Sequence, residues 1–164
     1  SGGYYWTPEP RNGKTEHTFK RRQLTQKGGI MMNLDIFAYT EPGIATAYLN
    51  EKWTVCIKNF RPKNSIENIA RLEIHHETDQ QYLLLCGNCS LVVAEPKDGM
   101  LDVQVVRMEI GKVYNIHRET WFNTICEPGA KMLYIQDANT TMENSELHEL
   151  TPEEKTELTE KYYG

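Results

Sequence analysis

No stretch of this sequence is apolar for long enough to cross a bilayer, and no signal-peptide core stands at its start. Basic charge is not in excess. Lys and Arg number 18 against 23 Asp and Glu, a net charge of −5, which gives no push toward nucleic acid or an acidic membrane. Internal repeats and low-complexity runs are absent. Cysteine is sparse: Cys56, Cys86, Cys89 and Cys126. Cys86 and Cys89 form a Cys-x-x-Cys, but no second pair completes a zinc site. Reduced thiols in strands are the expectation, and with them a cytoplasmic protein. Asn88-Cys-Ser and Asn139-Thr-Thr fit the glycosylation pattern without a secretory context to give it meaning.

What is present is a chain of 164 residues, 39% apolar and 25% charged, the size and composition of one soluble domain with a real core. Residues 1–30 stand apart. They carry six Lys and Arg against two Asp and Glu, where the remainder carries twelve against twenty-one. Ser1-Gly-Gly has the look of a cloning scar. Lys27-Gly-Gly-Ile-Met-Met32 can be encoded by a purine-rich ribosome-binding site followed by two start codons. The expectation is a translated leader or tag-derived extension, with the natural protein starting at Met31 or Met32. The alternative is a genuine basic arm.

From Leu34 onward the pattern is short strands with turn signals. Asp35 to Tyr39, Ala47 to Leu49 and Trp53 to Phe60 are strand candidates, punctuated by Glu41-Pro-Gly43, Asn50-Glu51 and Arg61-Pro-Lys-Asn64. Arg71 to His75 alternates polar and apolar residues, the period-2 mark of a half-buried strand. A polar bend leads to the run Tyr82 to Cys86. Gly87-Asn88 reads as a hairpin turn and Cys89 to Ala94 as the return strand. After the turn Glu95 to Gly99, Leu101 to Ile110 alternates, with a phase slip at Val105-Val106 that suggests a bulge. Val113 to Ile116, Trp121 to Cys126 and Met132 to Ile135 follow. Strands this short imply an all-β, antiparallel barrel or jelly roll over residues 31–150. After a polar stretch, residues 151–164 form a short helix: Thr151 caps it, Pro152 suits its first position, Glu154 completes a capping box, and Leu158 and Tyr162 share a face.

Two stretches carry a spacing motif. In the first, four residues separate His75 from Gln80, and six separate Gln80 from Gly87. In the second, Gly111 is followed by five residues, His117, Glu119 and then Phe122. The pair resembles the two motifs of the cupin superfamily in order and separation, over roughly Leu34 to Ser145. The resemblance implies a cupin-like barrel whose strands pair around a common interior. The chemistry departs from the family pattern: Glu73 stands at the first His position, Gln80 at the Glu position and Phe122 at the last His position, while His117 and Glu119 replace Pro and Gly.

Residues two apart in a strand share a face. The site implied by the resemblance therefore presents Arg71, Glu73, His75, Gln80, Tyr82, Thr120 and Phe122, with Thr124 on the same side. His76 faces away, and His117 reaches inward only if its loop bends. In metal-bearing cupins three His and one carboxylate hold a divalent transition ion. Here Gln is a poor ligand and Phe is none, so no cofactor is expected. A weakly held divalent metal would fall to His75, Glu73 and Gln80. The ligand-binding set is Arg71, Glu73, His75, Gln80, Tyr82 and Phe122, at the barrel mouth. It suits a small polar molecule such as a sugar or organic acid, with Arg71 open to an anion unless it pairs with Glu73. A second function class stays open: a sugar or small-carbonyl isomerase, epimerase or lyase. It would use His75 beside Glu73 as base and Tyr82 as acid. Edge strands, and the habit of cupins, point to a homodimer.

Overall fold

The computed structural model describes residues 33–164. The expectations for residues 1–30 lie outside the described residues. Ten strands and one helix follow in order: β1 Gly43–Leu49, β2 Trp53–Asn59, β3 Arg71–His75, β4 Gln80–Cys86, β5 Cys89–Lys97, β6 Met100–Arg107, β7 Val113–Ile116, β8 Trp121–Cys126, β9 Lys131–Asp137, β10 Ser145–Glu149 and α1 Pro152–Tyr163. They form two five-stranded sheets, β1-β2-β9-β4-β7 and β10-β3-β8-β5-β6, and every pairing is antiparallel. This double-sheet barrel with a terminal helix is the fold class that the strand pattern and the motif resemblance imply.

The chain has two cores because the second sheet is covered on both faces. Between the sheets pack Cys56, Tyr82, Leu84, Cys89, Leu91, Met108, Ile116, Phe122, Cys126, Met132 and Tyr134. Outside the second sheet lie Leu72, Val92, Ala94, Leu101, Val103 and Ile125, roofed by Ile66, Ile69 and Leu158 of α1. Glu154 fixes that helix. Its carboxylate accepts the backbone N–H of Thr151 and of Leu101, both at 2.9 Å, and lies 2.7 Å from His148 Nε2, while Thr151 closes the capping box. These three bonds outweigh the upward push of burial and hold the Glu154 pKa below its ordinary value.

Four sequence expectations are corrected. Residues 35–39 form no strand. Gly87-Asn88 is not a hairpin turn: β4 and β5 belong to different sheets, and these two residues make the corner between them. Gly87 has φ +75, and a Cβ there would stand 2.6 Å from Ala130 Cα, so both conformation and space demand glycine. Val105-Val106 is no bulge, since its register with Val92 and Leu91 is continuous. The apparent slip arises because one face of β6 packs under α1 while Met108 turns into the barrel. Bulges occur instead at Thr46/Tyr48 and Leu84/Cys86. Finally, β10, where no strand is expected from the sequence, follows the polar stretch and forms the edge beside β3.

Candidate functional site

Strand register arranges the barrel interior in layers. One layer of the first sheet runs Thr54–Gln136–Gln80–Ile116, the next Thr46–Cys56–Tyr134–Tyr82–Tyr114, and the third Ile44–Lys58–Met132–Leu84. The facing sheet contributes His75 beside Ser145, then Glu73 beside Phe122, then Thr124 beside Leu91, then Cys126 beside Cys89. Sequence periodicity thus brings four expected residues together. His75, Gln80, Tyr82 and Phe122 are all buried, and Glu73 is half-buried in the same interior. The Phe122 ring stands edge-on to both His75 and Tyr82, with centroids 5.3 and 6.3 Å apart.

The remaining expected residues sit elsewhere. Arg71 is exposed at the rim and pairs with Glu149 at 3.8 Å, not with Glu73. Thr120 is half-buried. His117 is out in solvent, 3.5 Å from Asp79. His76 faces outward, as its parity requires, between Glu119 and Glu146, each 3.0 Å away. The Glu119 hydrogen bond, helped by Glu146, raises the His76 pKa.

The polar groups inside are partly satisfied. His75 Nδ1 lies 2.7 Å from Ser145 Oγ. Burial lowers the His75 pKa more than Glu73 and Gln80 raise it, so the imidazole is neutral at neutral pH. The Gln80 amide donates to the Tyr82 hydroxyl at 2.7 Å, but Gln80 Oε1 has no hydrogen-bond partner among the described residues. Burial first, and Glu73 next, push the Tyr82 hydroxyl well above its ordinary pKa, which keeps it a proton donor.

Lys58 was missed by sequence reasoning and is the strongest feature of the interior. It is 5% exposed, in the layer below Tyr82, and its ammonium donates to Thr124 Oγ1 at 2.6 Å. No other hydrogen bond and no ion pair reaches it among the described residues. Burial lowers its pKa; Cys126 and Glu73 counteract, while Arg61 adds to the lowering. Arg61, half-buried, donates through Nε to Asn64 Oδ1 at 2.8 Å, and its terminal nitrogens make no hydrogen bond among the described residues. Cys126 is held down to about 7 by a hydrogen bond from Cys89, against burial and with help from Lys58, while Cys89 is pushed up by the same contact. A signal for Lys58 existed: Thr54, Cys56 and Lys58 share one parity of an alternating strand, so an inward cysteine implied an inward lysine.

These residues do not fit a tightly held transition metal. Among the described residues the one interior imidazole spends Nδ1 on Ser145, Gln80 turns its amide to Tyr82, Phe122 stands where the motif spacing puts the last His, and a lysine lies one layer below. Among the described residues no group of three or more His, Cys, Asp or Glu side chains is placed to hold a metal ion. A shallow depression of about 200 Å³ lies on the outer surface, lined by Lys97, Asp98, Met100, Leu101, Asp102 and Glu157. Most of its charges are paired, Asp102 with Lys97 and Lys161, and Glu157 with Lys161, while Asp98 makes no ion pair among the described residues. No helix among the described residues is long and apolar enough to cross a membrane.

No family model matches this sequence, and no curated protein matches it. Solved structures do. A variant of Streptomyces Pac13 with uridine is 8% identical, over 70% of this chain and 85% of that one, with a TM-score of 0.49. KdgF from a Halomonas species is 14% identical, over 63% and 87%, with a TM-score of 0.40. The capsular polysaccharide assembling protein CapF of Staphylococcus aureus is 14% identical, over 65% of this chain and 29% of that one, with a TM-score of 0.44.

Proposed function

We infer that this protein binds a small polar molecule, a sugar or an organic acid, inside the barrel and without a tightly bound metal. The observation that carries the reading is the incomplete satisfaction of the interior. Among the described residues, Lys58 uses one of three donors, and Gln80 Oε1 uses none of its capacity. A buried polar group without a partner costs about 1–3 kcal/mol, and a ligand that supplies the partners recovers it. A buried cation with no carboxylate within ion-pairing distance among the described residues favours an acidic ligand over a neutral one. Phe122, Tyr82 and Tyr134 supply the apolar walls against which such a ligand packs.

The test is calorimetry of the full chain against a panel of neutral sugars, sugar acids and small carboxylic acids. An acidic compound is expected to bind. His75→Ala and Glu73→Ala should each weaken it at least tenfold, about 1.4 kcal/mol. If both variants bind as the parent does, the ligand sits elsewhere. A second reading, acid–base catalysis, is favoured by one observation: His75 is neutral and lies on the same strand face as Glu73, with protonated Tyr82 nearby. It requires turnover of the bound compound, lost in His75→Gln while binding persists. The molecule is taken to be a homodimer through its edge strands, which light scattering at twice the chain mass would support and one chain mass would refute.

A further inference from the structure

We propose that Lys58 is a carbonyl-trapping amine: it forms an imine with a small oxo acid, an aldehyde or ketone carrying a carboxylate. The inference rests on the barrel-binding reading above and names the chemistry of that site. Imine-forming lysines need three things: an amine kept out of water, held in one orientation, and free of a carboxylate that would fix it as an ammonium. Lys58 has all three. It is buried, its nitrogen is anchored by one hydrogen bond to Thr124 Oγ1 at 2.6 Å, and among the described residues no carboxylate lies within ion-pairing distance of it. The charged and titratable groups acting on it are Cys126, Cys89, Glu73 and Arg61; Arg61 disfavours the ammonium, while Glu73 and the two buried cysteines, with Cys126 held down to about 7, favour it without outweighing burial.

The same surroundings select the substrate. Glu73 and Arg61 are the two groups acting on Lys58 that are only half-buried, and their side is taken as the approach to the amine. Among the described residues Arg61 keeps terminal N–H groups unspent after bonding Asn64, a fork suited to a carboxylate. A carboxylate on Arg61 sets the neighbouring carbonyl carbon toward the amine. The Lys58 nitrogen lone pair adds to that carbon, and the carbon–oxygen π pair takes up a proton to give a carbinolamine. The carbon–oxygen bond then breaks. The oxygen leaves as water with both protons of the neutral amine, and a carbon–nitrogen double bond remains. No electrons are gained or lost, and no cofactor takes part. The lowered pKa of Lys58, caused first by burial, supplies the neutral amine at lower pH than an exposed lysine does.

The experiment incubates the full chain with pyruvate, with or without sodium cyanoborohydride, and maps the reduced adduct by peptide mass spectrometry. In parallel, pyruvate binding is measured by calorimetry without reductant. The expected result is one adduct on the peptide containing Lys58, absent in Lys58→Met, at least tenfold more than on any other lysine, and reduced at least tenfold in Arg61→Gln. Adducts spread over surface lysines and unchanged in Lys58→Met would overturn the proposal. Pyruvate binding without any adduct at Lys58 would overturn the imine and leave the binding site standing. Neither binding nor adduct with pyruvate, where the acid panel finds a ligand, would overturn the oxo-acid assignment alone; no ligand in either would remove the binding reading as well.

Discussion

Replacing Lys58 with methionine should stabilise the protein while abolishing the acid binding proposed above. Burying one ion costs several kcal/mol even after relaxation, and a hydrogen bond from a charged group returns about 1.5–3 kcal/mol. Lys58 has one such bond and lies between Ile44 and Met132 in its layer, an environment that accepts a methionine of similar length. The variant also leaves Thr124 Oγ1 without its donor, which costs about 1–3 kcal/mol, unless the hydroxyl turns to another group. The balance is a gain of about 1–3 kcal/mol near neutral pH, or a rise in melting temperature of about 2–10 °C for a chain this size. The pH dependence identifies the cause. The folded-state pKa of Lys58 is lowered, so between that value and the ordinary lysine value the unfolded chain binds the extra proton. Parent stability therefore rises with pH through that window, and the advantage of Lys58→Met shrinks as it does. Urea unfolding of both proteins from pH 6 to 10 measures this, with calorimetry of the acid ligand alongside. A variant that is less stable than the parent by more than about 1 kcal/mol, with an unchanged pH slope, would refute the reasoning, because it would mean that the lysine is well partnered when folded.

Three further outcomes are expected. Gly87→Ala should cost about 2–4 kcal/mol in chemical denaturation, since it combines a positive φ with a Cβ placed 2.6 Å from the Ala130 backbone. Glu154→Ala should cost about 2–4 kcal/mol by removing the cap and leaving the Leu101 N–H without its acceptor. The parent should lose that Glu154 contribution as pH falls from the ordinary glutamate value through the lowered one, and the variant should show a flatter acid limb. A chain beginning at Met32 should be soluble and melt close to the full chain, because the strand pattern begins only beyond Leu34; precipitation or a much lower melting temperature would make residues 1–30 a structural arm.

The contrast between Glu73 and Lys58 explains how far the sequence could be read. Alternation in Arg71–His75 and in Gln80–Cys86 reports which side chains share a face, and that local rule placed His75, Gln80, Tyr82 and Phe122 in one interior. Local rules do not report which sheet a strand joins. The corner at Gly87 looks like a hairpin because glycine serves both roles, and only the pairing of β4 with β9 and of β5 with β8 distinguishes them. Nor do they report what covers an outer face. The β6 strand carries apolar residues in both parities, Leu101 and Val103 buried beneath α1 and Met100 and Val106 exposed on the other face, so apolar residues outside the buried face imitate a bulge. Edge strand β10 lacks an apolar face altogether and leaves no periodic trace, although its Ser145 supplies the partner of His75. Lys58 was hidden differently. Lysine is expected at the surface, and the expectation overrode the parity it shares with Cys56. Buried charge against the rule of its strand marks a place where stability has been given up, and in this barrel that place lies one layer from the residues the motif spacing singled out.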